Sequence, residues 1–190
     1  MSDPDESDEA LIGRYARGEV AAFTVLYHRH ELRTWRYLER NVGNRATAEE
    51  LLQEVWFAVA RDAPRYQPTA KFTTWLFAIA RNRMLDTLRS TRPELSLETV
   101  GYEAPPVVGQ LTTEPSVGPL AAAVVRDQAL ALGEALAQLP REQRDAFLLQ
   151  IEGELSVEEV AQVTGSSFET TKSRLRYART KLRELLSEHL

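Results

Sequence analysis

Between Phe168 and Arg183, six of sixteen residues are Lys or Arg and Glu169 is the one acid, a net charge of +5. Cations at that density attract phosphate backbones. The segment is also patterned. Phe168, Thr171, Leu175, Ala178, Leu182 and Leu185 recur at steps of three and four, which predicts one buried helical stripe. The outer surface then carries Glu169, Thr170, Lys172, Ser173, Arg176, Arg179 and Arg183. A second basic segment, residues 61–92, has seven bases against Asp62 and Asp86. Its bases are mixed with aromatics: Arg65, Tyr66, Lys71, Phe72, Trp75, Phe77, Arg81, Asn82, Arg83 and Arg89. Rings that stack on unpaired bases and cations that follow the backbone are the chemistry of single-stranded nucleic acid.

These segments need elements to hold them, and nearly all of them read as helix. Apolar residues at helical spacing predict helices over 9–17, 20–41, 47–61, 72–91 and 121–138, with no sustained alternation to suggest strands. Thr47 and Glu50 form a capping-box pattern. The stretch PRYQPTAK, with two prolines, predicts a loop before the 72–91 helix, and its Arg65, Tyr66 and Lys71 are suited to a pocket for an unstacked base. Taken singly, Phe72 and Phe77 read as core. Pro140 is expected at the first position of a helix that stops near Gly153.

A further short helix begins at the capping box Ser156–Glu159, and Gly165 follows Ala161 by four residues. A small residue at a helix crossing and a turn residue tolerant of positive φ are what a helix-turn-helix requires. In that motif the first turns of the second helix enter the major groove. Glu169, Thr170, Lys172, Ser173 and Arg176 are therefore assigned to bases or nearby phosphates, and Arg174, Arg179 and Arg183 to the backbone. The bland alternative is a solvated basic face on a helical hairpin. The cap, the small residue, the glycine turn and the one-sided charge favour DNA together.

Other features bound the answer. The acidic run at residues 1–8 is expected to be a disordered tail, and residues 93–120 to be a flexible acidic linker with five of the nine prolines. The fold class expected is all-α: helical domains at 9–92 and 121–190 joined by that linker. With no long apolar stretch and an acidic N-terminus, no membrane insertion is expected and the cytoplasm is the expected compartment. The chain has no cysteine. His28-x-His30 directs its rings about 200° apart on a helix, a poor metal pair. No phosphate-binding glycine loop or nucleophile motif is present, so neither an enzyme nor a cofactor is expected. On the 47–61 helix, Glu50, Gln53, Glu54 and Phe57 share one face, and a Phe among carboxylates there suggests a partner contact.

Three stretches carry a resemblance: TAEELLQEVWFAVAR, FTTWLFAIARNRMLDTLR and LPREQRDAFLLQIEGELSVEEVAQVTGSSFETTKSRLRYARTKLREL. In this order, the chain resembles bacterial sigma factors of the extracytoplasmic-function group of the sigma-70 family. The first is similar to the region 2 helix that docks on the β′ clamp helices of RNA polymerase. The second is similar to the region 2 helix that melts and reads the −10 element. The third is similar to region 4, which reads the −35 element and holds the β flap. The resemblance implies core RNA polymerase and promoter DNA as partners, with an anti-sigma factor as a further one. It puts Glu50, Gln53, Glu54 and Phe57 at the polymerase. It puts Arg65, Tyr66, Lys71, Trp75, Arg81, Asn82 and Arg83 at the −10 strand, and Glu169, Thr170, Lys172, Ser173, Arg174, Arg176 and Arg179 at the −35 groove. Two departures stand out. Glu169-Thr170-Thr171 occupies a place where the family commonly has Gly-Thr-Val, and Tyr177 a place where Arg often precedes the alanine. Glu169 suits a cytosine amino group, so the −35 preference is expected to differ. Without the resemblance, the residues leave open a stand-alone regulator that binds duplex DNA as a dimer, or a protein that sequesters another factor.

Overall fold

The structure, a computed structural model, describes residues 6–91 and 119–187. The N-terminal half holds α1 (Asp8–Ala16), α2 (Val20–Val42), α3 (Arg45–Asp62), a 3₁₀ turn (Ala63–Arg65) and α4 (Phe72–Thr91). The C-terminal half holds α5 (Pro119–Ala137), α6 (Arg141–Glu152), α7 (Val157–Thr164) and α8 (Phe168–Leu186). Among the described residues every regular element is helical, as the periodicity requires. Most of the sequence-predicted linker, and residues 1–5 of the tail, lie outside the described residues.

Local chemistry sets the boundaries. Asn44 caps α3: its side chain accepts from the Thr47 N–H at 3.0 Å, so the helix opens at Arg45 and not at the expected Thr47–Glu50 box. Asn ranks among the strongest N-caps, and its place three residues upstream takes the donor that Thr47 would have offered. Pro140 is likewise the cap residue before α6, one place ahead of its expected first-turn position. The Ser156–Glu159 box forms as read, with both reciprocal bonds present. Gly43 and Gly165 close α2 and α7 in the left-handed region at φ 66°, where a side chain would be strained.

The tail differs from expectation at its inner end. Asp8 opens α1, and Ser7 caps it by accepting from the Ala10 N–H. The Asp8 carboxylate accepts from Arg29 Nη1 at 2.9 Å and lies 2.7 Å from His30 Nε2, while Glu6 pairs with Arg14. Asp8 staples α1 to α2, with Leu11 and Ile12 of α1 fully buried.

Apolar side chains of the two halves form one continuous cluster. Leu26, Leu38, Val55, Phe72, Leu76 and Phe77 belong to the N-terminal half; Leu136, Leu148, Val160, Leu175 and Leu182 belong to the other. Phe72 and Phe77 are fully buried, as expected of core. Phe168, expected in the buried stripe of α8, is 41% exposed; Thr171, Leu175, Ala178 and Leu182 supply the burial. Phe168 stands at the first helical position, with the Lys172 ammonium 5.9 Å from its ring centre. The halves meet where α2 and α4 pack against α6 and α7. Gly153 sits in that seam, where an added Cβ would be 2.6 Å from the Leu149 carbonyl and 3.3 Å from the Phe77 ring.

Asp8 supplies a pH test. Burial pushes its carboxyl up, but the hydrogen bonds and charges of His30 and Arg29 outweigh this and hold it below its ordinary value. A depressed folded pKa stabilises above the unfolded value and stops doing so as pH falls through the folded one. Asp8→Asn is expected to cost about 1–2 kcal/mol near neutral pH. In denaturant titrations its deficit against wild type should shrink as pH drops from about 4 toward 2.

Candidate nucleic-acid interfaces

The first surface is built where the loop after the 3₁₀ turn meets α4. Arg65, Tyr66, Gln67, Thr69 and Ala70 from the loop, and Thr74, Trp75, Ala78 and Asn82 from α4, line a cavity of about 490 Å³. Tyr66 and Trp75 stand with ring centres 5.0 Å apart, and the Tyr66 hydroxyl donates to the Ala70 carbonyl at 3.0 Å. Burial, then the charges of Glu9 and Asp8, push the Tyr66 hydroxyl up to about 12. It therefore remains a donor throughout the neutral range. The chemistry is that of a slot walled by two aromatic rings, a guanidinium and amides, fit for an unstacked base.

Seven residues were expected on this surface. Arg65, Tyr66, Trp75 and Asn82 line the cavity together. Lys71 is exposed but ion-paired to Glu159 of α7 at 3.2 Å. Arg81 is turned into the seam between the halves: its Nε donates to Asp145 at 2.8 Å and its Nη1 to the Val163 carbonyl at 3.5 Å. Arg83 is not brought to the cavity. It faces a smaller hollow of about 290 Å³ with Glu54, Phe57, Ala58 and Arg61. Gln162 and Val163 of α7, not anticipated from sequence, complete the cavity wall.

The seam is electrostatically one-sided. Arg33, Arg40, Lys71 and Arg81 of the N-terminal half pair with Glu154, Glu152, Glu159 and Asp145 of the C-terminal half. Asp145 also accepts from the buried Tyr37 hydroxyl at 2.7 Å, and burial together with that carboxylate drives the Tyr37 hydroxyl well above its ordinary pKa. Burial pushes Glu152 up despite Arg40, Arg36 and Arg33. Glu159 ends below its ordinary value because the Ser156 N–H, Lys71 and Thr74 outweigh its burial. Apart from the Ser156–Glu159 box, these carboxylates carried no local signal, since their partners across the seam lie 64 to 121 residues away.

The second surface is the opening of α8. Ser167 caps it, accepting from the Thr170 N–H at 3.1 Å. Glu169, Thr170 and Lys172 are exposed and Ser173 is half-buried beside them. Arg176 is exposed, its guanidinium 5.0 Å from the Tyr177 ring centre. Arg174 and Arg179 lean back onto α6, Arg174 against Glu142 and Arg179 donating to Gln150. The buried Thr171 hydroxyl ties the turn to the helix through Ser166 and the Ser167 carbonyl. A third surface is the face of α3 with Glu50, Gln53, Glu54 and Phe57, all exposed, Phe57 to 74%.

Comparison with known proteins agrees with this geometry. Residues 26–94 match Sigma-70 region 2, and residues 129–182 match Sigma-70, region 4. The RNA polymerase sigma factor CarQ of Myxococcus xanthus is 35% identical over 92% of this chain and 95% of its own. The ECF RNA polymerase sigma factor RpoE of Cereibacter sphaeroides is 31% identical over 96% and 97%. The fold is shared with CnrH, solved with the cytosolic domain of CnrY (TM-score 0.65, 24% identity, covering 96% of this chain and 99% of that one). It is shared too with RpoE of Bartonella quintana, solved with the anti-sigma factor NepR (TM-score 0.64, 23% identity, 87% and 96%). The chain belongs to the sigma-70 family of RNA polymerase sigma factors. Within that family its relatives are those of the extracytoplasmic-function group.

The seam generates a prediction. Asp145→Asn removes the charge that holds Arg81 while keeping the shape. Because Arg81 is 19% exposed, the cost is set below that of a fully buried pair, at about 2 kcal/mol, or roughly thirtyfold in the equilibrium between packed and separated halves. The cysteine-free chain allows dyes on cysteines introduced at Ala46 and Thr180. Single-molecule transfer efficiencies should gain a low-efficiency population in D145N.

Proposed function

We propose that this chain binds core RNA polymerase and directs it to promoters, reading −35 duplex with the first turns of α8 and capturing the unpaired non-template −10 strand at the cavity beside α4. The observation that carries this reading is the cluster of Arg65, Tyr66, Trp75 and Asn82, all from the N-terminal half, which stays together when α7 leaves the cavity. A regulator confined to duplex DNA has no use for a base-sized slot flanked by Tyr66, Trp75, Arg65 and Asn82. The α3 face with Glu50, Gln53, Glu54 and Phe57 would dock on the β′ clamp helices, and the C-terminal half on the β flap. Lys172, Arg176 and Thr170 would enter the major groove, with Glu169 disposed to accept from a cytosine amino group.

The mechanism needs no bond-making chemistry. Unstacking a base costs a few kcal/mol, which the slot's stacking and cationic contacts offset. It does need the halves to separate. The two promoter elements lie about 25 base pairs apart, roughly 85 Å at about 3.4 Å per pair, whereas α7 here packs on α4. Residues 93–120 are long enough: 28 residues reach roughly 90–100 Å fully extended. Arg81 and Lys71 would then exchange Asp145 and Glu159 for phosphates. Work with polymerase and promoter implies the cytoplasm, and no helix among the described residues is long and apolar enough to cross a membrane. Membership in this group makes an anti-sigma factor part of the proposal.

Transcription of fragmented genomic DNA by purified core polymerase, with and without this protein, tests the reading by mapping new RNA 5′ ends. Discrete starts that share two upstream elements are expected. Neither new starts nor core binding would leave the stand-alone dimeric regulator in its place. On a promoter so found, Trp75→Ala should slow strand opening about tenfold or more through lost stacking. Lys172→Ala or Arg176→Ala should instead weaken dependence on the −35 element, by about 1–3 kcal/mol if the contact is to a base.

A further inference from the structure

Every helix begins with N–H groups that have no partner within it, and a neighbouring side chain usually supplies an acceptor. At α4 the residue in the capping position is Lys71, whose carbonyl accepts the first helical bond from the Trp75 N–H. Lysine has donors and no acceptor, so it cannot serve the free N–H of Phe72. That N–H donates to Glu9 Oε1 at 2.9 Å, from a helix 63 residues earlier in the chain. The bond is charge-assisted, and a carboxylate at a helix N-terminus also meets the positive end of the helix dipole.

The site is held from both sides. Asp8, next to Glu9, is fixed by Arg29 and His30, so α1 cannot slide on α2 without breaking those bonds. The α1 helix also packs against the 3₁₀ turn that ends in Arg65. On the other side the Phe72 ring lies 5.5 Å from His30, 5.9 Å from Trp75 and 6.3 Å from Tyr66. Wherever Phe72 is pinned, the two rings of the cavity follow.

We infer that Glu9 is a positioning residue for capture of the unpaired −10 strand: by capping α4 from α1 it fixes where the loop 66–71 ends, and so the shape of the base-sized cavity. The inference rests on the strand-capture reading above. Glu9 touches no strand. It acts through Phe72 on Tyr66 and Trp75.

The test compares Glu9→Ala and Glu9→Gln with wild type in two measurements. Hydrogen exchange on the free full-length protein reads the cap directly. Binding of core polymerase plus each variant to a 2-aminopurine-labelled oligonucleotide, copied from the non-template −10 strand of a promoter found by start mapping, reads the consequence. In E9A, exchange should quicken over residues 66–75 while α2 and α3 stay protected, and strand affinity should fall about tenfold with core affinity unchanged. Gln keeps an oxygen that accepts the same bond, so E9Q should recover most of the strand affinity. Equal exchange in E9A and wild type overturns the cap. Quickened exchange with unaltered strand binding overturns its link to capture. Loss of protection throughout, with weaker core binding and no recovery in E9Q, assigns Glu9 to general stability and also overturns the proposal. Failure of wild type itself to bind the strand overturns the capture reading, while the exchange rates still decide the cap.

Discussion

A carboxylate taken out of water must have its oxygens filled, and Asp145 fills both from the other half of the chain. One accepts from Tyr37 of α2 and the other from Arg81 of α4. This double acceptance anchors α6 across two helices at once and sets the seam along which the remaining contacts align. In the four ion pairs that cross the seam among the described residues, the cations come from the N-terminal half and the carboxylates from the C-terminal half. A buried pair of this kind contributes modest net stability but strong orientation, because a displaced partner would leave an unpaired charge behind. The joined core and the cavity wall shared by α4 and α7 both depend on that registration.

The α4 helix serves two neighbours with different faces. Phe72, Leu76, Phe77, Ala80 and Met84 are committed to the core, which keeps the helix rigid. Trp75, Ala78 and Asn82 are left to line a slot. In the proposed function, a slot set on a rigid helix keeps its geometry while the strand is sought. In the closed arrangement the same helix lends Arg81 to the seam, so one of the cations expected at the strand already has a partner.

What was legible in the sequence was local. The Ser156–Glu159 box, the left-handed Gly165 and the α8 stripe from Thr171 to Leu182 each depend on residues within a few positions, and each has the form read from spacing. Misreadings arose where two local signals competed. Asn44 outranked Thr47 as a cap, and Phe168 fell at the first residue of α8, where the ring stays partly exposed. Of the residues expected at the −10 strand, Lys71 went to Glu159, while Arg65, Tyr66, Trp75 and Asn82 were brought together. Arg81 and Arg83 were not, because one helical stretch rich in bases has several faces and spacing alone does not say what opposes each. The acceptors Asp145 and Glu9 gave no signal at all, and Glu159 gave one only as part of its capping box, since their partners across the fold are 63 to 108 residues distant.

The matching of seam cations to seam carboxylates also bears on ionic strength. A protein cation that lands on DNA releases counterions condensed there, and the steepness of salt dependence ordinarily counts such cations. In the proposed function Arg81 and Lys71 reach DNA from Asp145 and Glu159, Arg81 from a largely buried pair and Lys71 from an exposed one. Salt that screens the phosphates screens the internal pairs too, so it loosens the competitor and the DNA contact together. The two effects oppose each other in the exponent. The apparent number of ions exchanged should therefore undercount the phosphates touched, by an amount that reflects how many cations were already spoken for inside the protein.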